Sequence, residues 1–197
     1  MKKAIGAILL ITVILFSCRK SPVKPTTPTN DPTGSVLVSQ GGTTITAAND
    51  SLTNVKGSLR LQLAKDTINT DNILITFDPS AQTVYVPGAD APTLQGFGVV
   101  SLSSLSSNNI PLSIYTLPLT PKGVKIGLKV NAQADGIFTL NLKERRSIPE
   151  AYDLWLIDGY RKDSVELRYN NTYSFKIFKA DTSSVVANRF KLIIRTR

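Results

Sequence analysis

Lys122–Val130 reads KGVKIGLKV, and its apolar residues follow a period of two. Every second residue from position 124 to position 130 is apolar, whereas the positions between them hold Lys125, Gly127 and Lys129. Side chains alternate between the two faces of a β-strand. The pattern therefore predicts a strand with one face in a core and the other in solvent.

The same period recurs on both sides of this stretch, in short runs separated by turn residues such as Asp78-Pro79, Asp135-Gly136 and Asn170-Asn171. Closely spaced strands without an amphipathic helical pattern are typical of all-β domains. We therefore expect residues 57–197 to form an antiparallel two-sheet β-sandwich, either Ig-like or jelly-roll-like. In the last strand we expect Arg189, Lys191 and Arg195 to face away from the core. The other alternating runs are LRLQL (59–63), ILITF (73–77), GIFTLNL (136–142), VELRY (165–169), YSFKI (173–177) and FKLII (190–194).

The N-terminus has the features of a secretory signal peptide at residues 1–17. Two lysines precede an apolar run, AIGAILLITVILF, that is shorter than the ~20 residues needed to span a bilayer. Leu15-Phe16-Ser17-Cys18 then resembles the bacterial lipobox, although Phe16 is bulkier than the residue usual there. The resemblance implies that Cys18 carries a thioether-linked diacylglycerol. Two or three acyl chains anchor a protein stably, because each buried methylene contributes ~0.8 kcal/mol.

A proline-rich tether and an N-terminal extension precede the predicted sandwich. Residues 18–34 contain the lipidated cysteine and four prolines, which favour an extended polyproline II spacer. Residues 35–56 are expected to add strands or to wrap an edge of the domain. Cys18 has no acidic cluster after it and no aspartate at the next position. By resemblance to other lipoproteins, this favours the outer membrane facing the periplasm, and surface display stays open.

The charge distribution is uneven along the chain. Residues 122–197 contain 15 basic and 8 acidic residues, whereas residues 57–121 have a net charge of −2. A basic half outside the cytoplasm favours anionic envelope polymers or lipid head groups, although a solvated surface explains the same residues. The basic residues alternate on predicted strands without interleaved aromatic residues, so we expect no nucleic-acid partner.

The composition excludes several classes of enzyme. The chain has no histidine, which removes Ser-His-Asp and Cys-His nucleophilic sites and the commoner zinc sites. Paired carboxylates for sugar hydrolysis remain an alternative, with Glu144, Glu150 and Glu166 as the candidates. We expect Glu166 to face solvent and Glu144 to be neutralised by its basic neighbours. The domain is therefore expected not to be an enzyme.

Two other sets of residues are candidates for binding. Aspartates near predicted turns offer hard oxygen ligands for Ca²⁺, although turn capping through side-chain hydrogen bonds explains them equally. Trp155 lies out of phase with Leu154 and Leu156, so it falls on the outer face of its strand. There it either stacks on a sugar or partner protein, or is covered by residues 35–56. The candidate calcium ligands are Asp66, Asp71, Asp78 and Asp90.

Several stretches resemble a β-sandwich module of large exported proteins of the Bacteroidetes, which often precedes a type IX secretion sorting domain. They include ILITFDPSA (73–81), PLSIYTLPL (111–119), GIFTLNLKE (136–144) and YDLWLID (152–158). The resemblance runs from about Gly57 to Ile194 and implies a fold, not an activity. Because the chain also carries a lipobox, we expect the module on a lipid anchor and do not carry over type IX export.

Together these features predict a lipid-anchored cell-envelope protein that acts as a non-catalytic binding or structural module. Its expected partners are the membrane, through the anchor, and an envelope protein or polysaccharide. A calcium- or carbohydrate-dependent adhesion module is the main alternative. The sequence leaves the ligand open.

Overall fold

The computed structural model describes residues 52–94 and 98–197. The signal peptide, Cys18, the tether and residues 35–51 lie outside this part of the chain, so the predictions made for them stay predictions. Within it, no helix has the length and apolar character needed to cross a bilayer.

The described residues form an all-β fold, as predicted. One 3-10 helix, Thr182–Val185, lies between the last two strands. The strands are β1 Gly57–Ala64, β2 Thr70–Phe77, β3 Ala91–Pro92, β4 Val100–Leu105, β5 Pro111–Leu117, β6 Val124–Ala132, β7 Gly136–Arg146, β8 Tyr152–Asp158, β9 Asp163–Glu166, β10 Thr172–Ile177 and β11 Phe190–Thr196.

The alternating patterns place the core correctly. Leu59, Leu61 and Leu63 of β1 are at most 1% exposed, and the same alternation buries one face of β2, β6, β7, β10 and β11. These faces meet in one hydrophobic core that all of the long strands share. Burial of apolar area at ~25 cal/mol per Å² is the main force that holds such a fold together.

The strand pairing differs from the prediction. The described strands form a mixed sheet in the order β10-β7-β1-β2-β5-β4-β6-β11-β8-β9, with β3 added beside β5. β2 and β5 are parallel, so the purely antiparallel arrangement is wrong. Parallel neighbours need a long crossover connection, and β3 and β4 lie in the connection between β2 and β5. A separation into two sheets stays a prediction, because the hydrogen-bonded order is continuous.

The sheet curls until its two ends approach each other. The Tyr173 hydroxyl of β10, at one end, lies 3.2 Å from carboxylate oxygens of both Asp158 in β8 and Asp163 in β9, near the other end. The Arg161 guanidinium also donates to the Ser174 carbonyl of β10, over 3.2 Å. The nearly closed sheet therefore has an inner face that is core and an outer face that is available for ligands.

Candidate functional site

The four candidate calcium ligands are not brought together. Asp66 accepts hydrogen bonds from the backbone N–H groups of its own loop, including that of Asn69 at 2.7 Å, and these bonds lower the pKa of its carboxyl. Asp90 is buried and accepts from the N–H groups of Val86 and Thr116. Within the described ranges, no three potential metal ligands form a group. Asp71 and Asp78 likewise bond to backbone N–H groups, so all four carboxylates fix loops or strands.

Two of the candidate catalytic glutamates are paired with arginines. Glu144 accepts from the Arg146 guanidinium, and this hydrogen bond holds the pKa of the Glu144 carboxyl below its ordinary value. Glu150 accepts from Arg145 and Arg168, each at 3.1 Å. A general acid needs a raised pKa, so the pairing of Glu144 works against that role.

Glu166 was predicted to face solvent, but it does not. Its side chain is half-buried, and its two carboxylate oxygens accept from the N–H groups of Leu154 and Arg168, both at 2.9 Å. The chain turns sharply after β9, and this carboxylate satisfies backbone donors that the turn would leave unpaired. Glu166 therefore fastens the end of β9 to β8.

Trp155 lies on the outer face of β8, as its phase predicted. It is half-buried, and in the register of the sheet it stands opposite Ile193 of β11. The Arg195 guanidinium carbon lies 5.7 Å from the centre of the indole ring, a cation–π contact. The indole N–H is buried and has no hydrogen-bond partner among the described residues. Whether residues 35–51 cover this ring stays a prediction.

Arg189 was predicted to face solvent, and that prediction is wrong. Its side chain is 2% exposed, and its guanidinium donates to both carboxylate oxygens of Asp158, at 3.0 and 2.8 Å. It also donates to the carbonyls of Lys176 and Ser184. The Ser184 carbonyl belongs to the 3-10 helix, and the rings of Tyr160, Phe175 and Phe190 lie within 5 Å of the guanidinium carbon. Strand periodicity does not predict such contacts between distant segments. The burial of Asp158 was predictable from the sequence, because Asp158 lies four residues after Leu154 and therefore on the same, buried face of β8.

The surroundings of Asp158 keep it charged. Burial by itself raises the pKa of this carboxyl, but hydrogen bonds from Arg189 and from the Arg161 N–H, with the guanidinium charge, outweigh burial and lower it. Burial and the nearby carboxylates of Asp158 and Asp163 raise the pKa of Tyr173. Within residues 52–94 and 98–197, every buried polar side-chain atom of this cluster has a hydrogen-bond partner, as in a buried network that holds a fold together.

The outer face of β6 and β11 has a different character, because its cations form no salt bridge with any described residue. Lys191 stands opposite Gly127 in the antiparallel register, and Ile194 stands opposite Val124. This alternation forms a zigzag, which we call the basic row: Lys129, Lys191, Lys125 and Arg195. Strand geometry puts consecutive Cα atoms of the row about 8 Å apart and its ends about 20 Å apart.

No carboxylate forms a salt bridge with any member of the basic row within residues 52–94 and 98–197. Asp153 stands opposite Arg195 in the register but pairs with Arg197, at 2.6 Å. Lys125, Lys191 and Arg195 are exposed, and Lys129 is half-buried. The row therefore presents uncompensated positive charge along one face of the sheet.

A cleft adjoins the basic row where β4 ends. The last residue of β4, Leu105, pairs with Gly127, so the first residues of β6 have no neighbour on that side. The gap is a cleft of ≈ 490 Å³, which we call the β4-end cleft. Its lining includes Lys125, Gly127, Lys191 and the polar side chains of Ser107, Asn109 and Asn188.

Comparison with family models, curated proteins and solved structures gave no match. The resemblance to the exported β-sandwich module stays a prediction. The functional assignment therefore depends on the residues themselves.

Proposed function

We propose that this chain is a lipid-anchored protein of the bacterial cell envelope that acts as a non-catalytic binding module. The binding role is supported by the basic row beside the β4-end cleft, since no member of the row forms a salt bridge in the described part of the chain. The sequence supports the location through the signal peptide, the lipobox at Cys18 and the proline-rich spacer.

In this proposal, acyl chains on Cys18 hold the protein at the outer membrane, facing the periplasm. Residues 18–34 separate the domain from the lipid surface by up to ~50 Å if they are fully extended at ~3.1 Å per residue. The outer face of the sheet is then accessible to a ligand in the periplasm.

We further infer that the curled sheet works as a sandwich-like scaffold. Strands β10-β7-β1-β2 would form one layer and β4-β6-β11-β8-β9 the other, with β5 between them. The shared core and the one buried face of each long strand support this division. It places the basic row on the outside of the second layer.

The location is tested by replacing Cys18 with serine in the producing cell. The wild-type protein should partition into detergent and gain the mass of a diacylglycerol after loss of residues 1–17. The Cys18→Ser form should lose the lipid mass and leave the membrane fraction. A Cys18→Ser protein that still partitions with membranes would contradict the anchor, and protease treatment of intact cells distinguishes periplasmic from surface exposure.

A further inference from the structure

The regularity of the basic row is what points to a ligand class. Scattered surface cations usually have acidic neighbours, whereas these four follow one another at about 8 Å on one face, with no salt bridge in the described part of the chain. Like charges on neighbouring strands repel each other and lower stability. A linear polyanion relieves that repulsion and gains from every charge that it neutralises.

The β4-end cleft adds a second, uncharged type of recognition. Gly127 stands opposite Lys191 and two residues after Lys125 in β6, and a Cβ at this position would lie 3.2 Å from the Leu105 side chain, which also lines the cleft. Asn109 and Asn188 line the same cleft. A volume of ≈ 490 Å³ lies within the range of ligand pockets. Amides offer both donors and acceptors, which suits the hydroxyl groups of a sugar ring.

Trp155 fixes the far end of the row. The Arg195 guanidinium carbon lies 5.7 Å from the centre of the Trp155 ring. A guanidinium in contact with an aromatic face can still take a carboxylate through two parallel hydrogen bonds.

We propose that the basic row and the β4-end cleft bind a linear acidic polysaccharide. Its carboxylates pair with Lys129, Lys191, Lys125 and Arg195, and one sugar ring occupies the β4-end cleft. The location of the encounter rests on the proposed function, whereas the recognition itself rests on this face alone.

Two other polyanions fit this face less well. Docking to a bilayer needs apolar side chains that protrude from the surface, and Trp155, Ile157 and Ile193 on this face are half-buried. Single-stranded nucleic acid needs free aromatic rings for its bases to stack on. The ring of Trp155 is instead occupied by Arg195.

The test measures binding of oligogalacturonates of increasing length to the full chain, purified in a non-ionic detergent. Affinity should rise with length until the oligosaccharide spans about 20 Å, the length of the row. It should fall steeply with salt, because exposed charges are screened. The methyl-esterified form of the same oligosaccharide has no charge and should not bind.

Variants distinguish binding by the basic row from attraction to the net positive charge of the protein. Each exposed ionic contact changes affinity by a factor of about two to five, so Lys125→Gln with Lys191→Gln should weaken binding about 4- to 25-fold. Lys143→Gln with Lys176→Gln removes the same charge from exposed positions on β7 and β10 and should leave affinity unchanged. Gly127→Thr should weaken binding without changing the salt dependence, because the added side chain displaces Leu105 in the lining of the cleft and removes no charge.

Several outcomes would overturn the proposal. Equal weakening by the two double variants would assign binding to diffuse charge. Absence of binding, or an unaffected Gly127→Thr protein, would remove the saccharide site. Tighter row-dependent binding to anionic vesicles, polyglutamate or single-stranded DNA would assign the row to that class instead. Binding to oligosaccharides in detergent does not depend on membrane attachment. The binding test and the Cys18→Ser test can therefore fail independently of each other.

Discussion

Replacing Arg189 by methionine removes the guanidinium from the most deeply buried ion pair described in the molecule. The side chains of Arg189 and Asp158 are 2% and 0% exposed. Breaking a buried pair by removing one partner costs about 3–5 kcal/mol, because the other charge stays in a medium that solvates it poorly. Asp158 would keep its bonds from the Tyr160 and Arg161 N–H groups and the Tyr173 hydroxyl. We therefore expect the lower end of this range, about 3 kcal/mol.

The measurement is the free energy of unfolding from denaturant titration, with the melting temperature beside it. A loss of about 3 kcal/mol corresponds to a fall in Tm of about 6–12 °C for a domain of this size. Arg195→Met is the matched control, since it makes the same substitution at an exposed position of β11 and should cost less than about 1 kcal/mol.

A second variant tests the mechanism of this loss. In Arg189→Met with Asp158→Leu, neither charge remains, so part of the lost stability should return, and the double-mutant cycle should show strong coupling. If Arg189→Met were as stable as Arg195→Met, the two side chains would not form a buried pair, and our account of this end of the sheet would be refuted.

Three further predictions concern pH, backbone and metal. The pKa of Asp158 is lower in the folded state, so its stabilisation is present above about pH 4 and disappears as pH falls through the folded pKa; acid should therefore destabilise wild type more steeply than Asp158→Asn. Gly123→Ala should unfold more easily than Gly88→Ala: both glycines have positive φ, but only at Gly123 does a Cβ collide with backbone, that of Ile194 and Arg195. Calcium or EDTA should leave Tm unchanged, because the four loop aspartates hold backbone N–H groups; a calcium-dependent rise would revive the metal site.

The features that the sequence predicted correctly are those that depend on local backbone geometry. The alternation in β1 and β6 gave their buried faces, because side-chain direction in a strand depends only on position along it. The outer position of Trp155 followed from the same rule. Turn aspartates such as Asp66 were also recognisable as caps, since their hydrogen bonds span only a few residues.

Features that depend on distant segments were not predictable in the same way. The parallel pairing of β2 with β5 depends on the course of the chain between these two strands, and the alternation of apolar residues does not encode that course. The burial of Arg189 depends on partners from other strands, among them Asp158 of β8 and Phe175 of β10. The basic row illustrates both cases: alternation showed that Lys125 and Lys191 face outward, but only the register of β6 with β11 places them beside each other.

The position of β11 in the sheet has a consequence for when the protein can fold. Residues 190–196 insert between β6 and β8, and they supply the central partner for strands made much earlier. Until this segment is delivered, the β8–β9 hairpin has no second neighbour and the core lacks Phe190, Leu192 and Ile194. Non-local pairing of this kind slows folding. We therefore expect the pairing of β11 with β6 and β8 to be a late step in folding, and the strands on either side to gain their protection from hydrogen exchange together with it.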